Sequence, residues 1–371
     1  MRKTAILLVF STFTLITACE SEKEALVIPN TYNAANFSTN ASTELQVLVR
    51  LTELVNETKK GRTAGISVSN SNLTALYNAG NPTLKSLNTT YYASRLEGTN
   101  GFLAELSKAS GTTYTPGAPT GEGGVFGGYL FDENGLELEQ LIEKGQFGSV
   151  LYHHATKLLS AELDNTTSDK VLAILGSNPS FPNSSDATKH EQPDKLAAVY
   201  AARRDKNDGN GFYTQLKNSF IKLQVAIAAG NEYEAEQQQA VKEIKETWEK
   251  VNAATIINYC HTVISTMSAT SPTDAQKANA LHAYGEAVGF THGWRTIPQQ
   301  HKIITDTEID EILVLLNAPF NATPTSYLFI TDPVNQLPKL QQVISKLKSI
   351  YGFTDQQIED FKKNWVSEQQ R

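Results

Sequence analysis

Residues 231–269 form the longest uninterrupted helical pattern in the chain. The run opens on Glu232 and Glu234 and carries Val241, Ile244, Trp248, Val251, Ile256 and Ile257 at helical spacing. That is long for one globular helix, and its apolar stripe demands partner helices. Other segments have the same period. Leu45, Leu48, Thr52 and Val55 mark a helix ending near Gly61, and SNLTALYNAG (71–80) reads as a short one. A helix is expected over about 134–163, with Leu138, Leu141, Val150 and Leu158 among its apolar positions. Another carries Phe212, Leu216, Leu223 and Ile227, and a further one covers 275–293. Period-two runs are scarce, and YLFIT (327–331) is the only stretch that reads as a strand. The expected architecture is therefore mostly α, built as an antiparallel helical bundle.

The N-terminus sets a location. Arg2 and Lys3 precede a short apolar stretch, Ala5 to Ile16, and then Thr17, Ala18 and Cys19. This pattern is a secretory signal over 1–18, too short to span a bilayer. The Ile-Thr-Ala-Cys junction resembles the lipobox of bacterial lipoproteins, which implies a Cys19 acylated at the new N-terminus. Several acyl chains on one residue anchor stably where one does not. Residues 19–42 then form the lipidated N-terminus and a polar tether, and 43–371 an all-α domain. The expected location is the cell envelope, at the outer membrane, with the periplasmic and surface faces both open. Cys260 is left without a partner and lies in an apolar stretch, which suits a buried thiol. A net charge of −7 with scattered lysine and arginine argues against nucleic acid as a partner. Residues 110–128, with seven glycines and two prolines, read as a long loop that could serve as a contact surface.

One stripe concentrates polar groups where a helix should be apolar. On a helical wheel with His282 at zero, Glu286 falls near 40°, Gly289 near −20° and Gly293 near 20°. Ala275 and Ala278 share that side. Glycine within a helix costs ~1 kcal/mol relative to alanine, so two on one ridge imply a close neighbour. A buried carboxylate needs a cation, a metal or several donors. His282 and Glu286 are thus either two ligands of a divalent metal or other small ligand, or members of a structural polar cluster paired with Arg203 or Arg295. His190, Asp194, Ala197, Ala201 and Arg203 repeat the offsets of His282, Glu286, Gly289, Gly293 and Arg295, which suggests an internal duplication into two bundles. Pro193 favours a helix start there and leaves His190 at or before the cap. His292 and His301 read as peripheral. HExxH, CxxC and GxSxG motifs are absent from the sequence.

The stretch from Gly127 to Ala155, especially GYLFDENG at 128–135, together with HAYGEAVGF at 282–290, resembles the bacterial lipoprotein family of domain of unknown function 4856. That family is distantly similar to imelysin-like proteins, which implies a helical double bundle, an envelope location and a link to iron uptake. Imelysins carry GxHxxE. Here the spacing is HxxxE and Ala280 stands two before His282, so peptidase activity is not carried over. Three functions remain open: a lipoprotein binding a metal, chelate or protein partner; an imelysin-like metal-dependent hydrolase; and an interaction protein without a small-molecule ligand.

Overall fold

The computed structural model describes residues 23–118 and 121–371; the signal segment and Cys19 lie outside the described residues. The helices used below are α1 (Ser42–Lys59), α2 (Leu138–Gln146), α3 (His153–Ser160), α4 (Thr167–Leu175), α5 (Leu196–Arg203), α6 (Phe212–Ala229), α7 (Glu234–Met267), α8 (Asp274–His292), α9 (Asp306–Leu315) and α10 (Pro333–Tyr351). A two-stranded hairpin, β1 (Gly124–Phe126) with β2 (Tyr129–Phe131), is the sheet among the described residues.

The long run becomes α7, about 50 Å at 1.5 Å per residue. Glu234 and Glu236 sit in its first turn, where the helix dipole favours negative charge. Its neighbours α6 and α8 join it through short turns, the first bent at Gly230 with φ 99°. Consecutive helices joined so tightly pack antiparallel, and α10 closes over α7 from another side. Thr273 and Gln276 cap α8 reciprocally: the Gln276 amide donates to Thr273 Oγ1 at 3.3 Å, and the Thr273 amide donates to Gln276 Oε1 at 2.8 Å. Cys260 is buried in α7, and burial pushes its thiol up to about 12.

The exception to antiparallel packing matters most. Gly285 of α8 lies against Glu137 and Gln140, Gly289 against Gln140 and Lys144, and Gly293 against Gly145. Residue numbers rise together along both helices, so α2 and α8 run parallel. Just beyond α2 the backbone widens into a π-helical segment, Phe147–Tyr152, before continuing as α3. The expected helix over 134–163 is thus shorter and has three parts.

Two expectations are corrected. YLFIT is helical over Leu328–Thr331. Phe329 and Ile330 are both buried, and a strand would have put adjacent residues on opposite faces. The Tyr327 amide donates to Asn134 O at 3.0 Å, which ties the start of the segment to the loop before α2. Conversely, part of the expected 110–128 loop is the hairpin. Gly127 and Gly128 form its two-residue turn with φ 55° and 89°, a conformation glycine enters without penalty. From residue 23 onward the N-terminal segment is fastened to the helical body. Tyr32 is buried and donates to Asp169 Oδ1 at 2.6 Å, and the Asn33 amide donates to Gln224 Oε1 at 2.8 Å. Among the described residues no helix is long and apolar enough to cross a membrane.

Candidate functional site

The parallel contact of α2 with α8 builds the site. A helix normally keeps one face wet, yet every residue from Leu138 to Gln146 is buried, including Glu139, Glu143 and Lys144. Charges in that position must find partners. Glu137, at the start of α2, is fully buried. Its Oε2 lies 2.6 Å from His282 Nδ1, and its Oε1 accepts from Arg62 at 3.1 Å. Arg62 also grips Glu139, with Nε to Oε2 at 2.7 Å and the second nitrogen to Oε1 at 2.8 Å. Lys144 sits 2.9 Å from Glu143 and 3.5 Å from Glu286. Tyr200, on α5, donates to Glu286 Oε1 at 3.2 Å. The hairpin supplies a lid for the imidazole: Tyr129 stacks on His282 with centroids 4.3 Å apart and planes 13° from parallel.

His282 and Glu286 are therefore brought together, with Nε2 and Oε2 facing each other across 3.7 Å. Because Glu137 occupies Nδ1, it is Nε2 that faces Glu286. Burial opposes protonation of the ring, but the Glu137 carboxylate more than offsets this and holds His282 above the ordinary histidine range. Burial, reinforced by Glu137, pushes Glu139 up to about 7 even with Arg62 alongside. Burial also opposes the charge on Lys144, yet Glu143, Tyr200 and Glu286 keep it protonated well above the lysine norm.

Of these groups, Arg62, Glu143, Lys144, Tyr200, His282 and Glu286 line a partly open cleft of about 400 Å³. Lys59 and Arg203 stand at it too, and Arg203 lies over the Tyr200 ring at 5.1 Å. Gln140 Oε1 is buried there with no hydrogen-bond partner. Chemically, the cleft offers fixed cations, an imidazole nitrogen and an open acceptor. Among the described residues no group of three or more His, Cys, Asp and Glu side chains is arranged to hold a metal ion. Around Glu286, a third ligand position is taken by Lys144.

The remaining expected residues go elsewhere. Arg295 pairs with Asp310 at 2.7 Å and stacks on Phe320 at 3.8 Å, so it is no partner of Glu286. His190 and Asp194 lie before α5 rather than on it, so the repeated offsets fall on unlike structure. Asp194 is buried and accepts from Ser177 at 2.7 Å, Tyr213 at 2.8 Å and the Ser184 amide at 2.9 Å, tying down the 177–194 loop. Burial outweighs these bonds and raises it to about 7. Arg62, Glu137, Gln140, Lys144 and Tyr200 were not anticipated. The available signal was ELEQLIEKG, a helix start too charged to be buried without dedicated partners.

His292 is the other correction, since it is buried against Tyr91, Tyr92 and Phe102 rather than peripheral. Burial, with Arg95 and Arg295 nearby, pushes it down to about 3. The unfolded chain takes up this proton near 6.5 and the folded chain does not, so His292 makes stability fall as pH drops from 6.5 toward 3. The term reaches about 4 kcal/mol at the acid end. Urea titrations of wild type and His292→Leu across that window should show the variant's stability falling less by about that amount; parallel curves would refute the assignment.

Fold and cleft together define a helical protein with a charged, half-buried recess between two parallel helices. Residues 181–354 match the family described as Domain of unknown function (DUF4856). The matched part includes Tyr200, Arg203, His282 and Glu286; Arg62, Glu137, Lys144 and GYLFDENG precede it. No curated protein and no solved structure matches the chain.

Proposed function

We propose that the chain is a binding lipoprotein of the bacterial cell envelope, held to the membrane through Cys19, whose helical body takes a small anionic ligand in the cleft between α2 and α8. The observation that carries the ligand class is the pair of cations at the cleft opening that no carboxylate engages. Arg62 and Lys144 are committed to Glu137, Glu139, Glu143 and Glu286. Among the described residues Lys59 and Arg203 make no ion pair, and both border the opening. A carboxylate or phosphate entering there meets two uncommitted positive charges, and a hydroxyl or amine on the same molecule satisfies Gln140 Oε1. At the opening a bare divalent cation meets Lys59 and Arg203, the two charges there that no carboxylate offsets.

A second reading has one observation in its favour. Glu137 orients His282 as outer-shell carboxylates orient metal-binding histidines, and Nε2 faces Glu286 across 3.7 Å. A metal reaching this gap as an anionic chelate would satisfy both the cationic opening and the two ligand atoms, and would fit a role in metal uptake.

Thermal shift of the mature protein against hydroxy- and amino-carboxylates, sugar phosphates, and divalent metals with and without citrate tests both. At 100 times Kd a ligand stabilises by about 2.7 kcal/mol. The expected result is stabilisation by at least one anion that is lost in Arg203→Ala. Stabilisation by bare metal that disappears in His282→Ala while Arg203→Ala retains it would overturn the anion reading.

A further inference from the structure

The first described residues lie on one end of the longest helical hairpin. Lys23 reaches both carboxylate oxygens of Glu236, at 2.7 and 2.6 Å, and lies over the Tyr233 ring at 4.2 Å. Tyr233 donates to Glu24 O at 3.1 Å. Ten residues on, Asn33 exchanges two hydrogen bonds with the Gln224 side chain. The strand of chain between these two fastenings is Ala25-Leu26-Val27-Ile28-Pro29-Asn30. It is an apolar run, yet Val27 is 84% exposed and Ile28 48%. Large aliphatic side chains consecutively exposed in this way, on a segment held at both ends, form a patch that no other described residue covers.

Chain length identifies what covers it. Cys19 is four residues before Lys23, so even a fully extended link spans at most about 14 Å. Resting on the reading that Cys19 carries the lipid, we infer that the 25–29 arc is a membrane-docking surface, which seats the α6–α7 turn on the phospholipid bilayer and inserts Leu26, Val27 and Ile28 among the headgroups and upper acyl chains. The fastening at Lys23 converts a flexible tether into a short, fixed mount. Glu232, Glu234 and Glu236 around it make this end acidic, so the attraction is apolar rather than electrostatic, and a zwitterionic surface suits it. Since α7 runs about 50 Å from this end, Met267 and the following Ser268 are carried to the membrane-distal side, and the body stands on its hairpin.

The test uses the lipidated protein in phosphatidylcholine–phosphatidylethanolamine vesicles. The lipid blocks the Cys19 thiol and Cys260 is buried, so a single introduced cysteine takes an environment-sensitive fluorophore selectively. Val27→Cys and Ser268→Cys place it at the two ends, both exposed positions where no packing is lost. Brominated phosphatidylcholine is expected to quench the probe at 27 at least about threefold more than the probe at 268, because interfacial side chains enter only the outer ~5–10 Å of the bilayer. Changing the salt concentration should leave the ratio unchanged. Co-flotation with vesicles but equal quenching at 27 and 268 would overturn the docking surface and leave the anchor standing. Failure to co-float would remove the Cys19 anchor, and the mount with it.

Discussion

A single methyl group at Gly293 is expected to destabilise the fold by about 3 kcal/mol, and the same group at Gly285 by less than about 1 kcal/mol. The difference lies in what each Cβ would meet. At Gly293 it would lie 2.2 Å from the Gly145 carbonyl oxygen, and at Gly289 2.5 Å from that of Gln140. Both obstacles are backbone, fixed by helical hydrogen bonding, so the helices must separate. At Gly285 the nearest atom is the Glu137 Cβ at 3.2 Å, which needs only a few tenths of an ångström. There the gain in helix propensity, ~1 kcal/mol, offsets most of the crowding. Urea unfolding of Gly285→Ala, Gly289→Ala and Gly293→Ala should rank the three in that order of increasing damage. Equal midpoints for Gly285→Ala and Gly293→Ala would show that α2 and α8 do not approach as described. The effect should also reach the cleft, because Glu137 and Lys144 ride on the segment being displaced.

The close approach itself was readable. Two glycines on one ridge with alanine, in a segment with caps at both ends, leave little else to conclude, and α8 begins and ends within a residue of expectation. The long run over 231–269 gave α7 for the same reason: local periodicity and charge placement suffice when a segment is long. What was not readable is the identity of the approaching helix. Glu137 and His282 are 145 residues apart in sequence, and nothing local in either announces the other. The sequence offers Arg203 and Arg295 as cations for Glu286, but neither forms an ion pair with it. Lys144 takes that place because a parallel helix delivers it from far upstream. Short elements failed differently. Val-Phe-Gly-Gly-Tyr-Leu-Phe contains a two-glycine hairpin turn between an apolar pair and an apolar triplet, but the surrounding glycines conceal it. YLFIT has strand composition without a strand's alternating burial, which is settled only by the packing of Phe329 and Ile330.

Lys144→Met is expected to cost about 3–5 kcal/mol at neutral pH, more than any cavity of that size would explain. Methionine fills nearly the same volume, so packing against Phe147 and Tyr200 is largely kept. What disappears is the cation that touches both buried carboxylates, Glu143 and Glu286. Two negative charges then share a recess from which water is mostly excluded, and one must take up a proton or the recess must open. The direction with pH follows. The lysine partner holds Glu143 below the ordinary glutamate range although burial alone would raise it. Without that partner its folded pKa rises above the unfolded value, so the variant's deficit should shrink as pH falls from 7 toward 4. Glu143→Gln added to Lys144→Met should recover part of the loss at pH 7, since contacting residues are not additive. If the single variant were as stable as wild type at pH 7, the recess would be open to water, and the carboxylates would be solvated groups rather than members of a closed network.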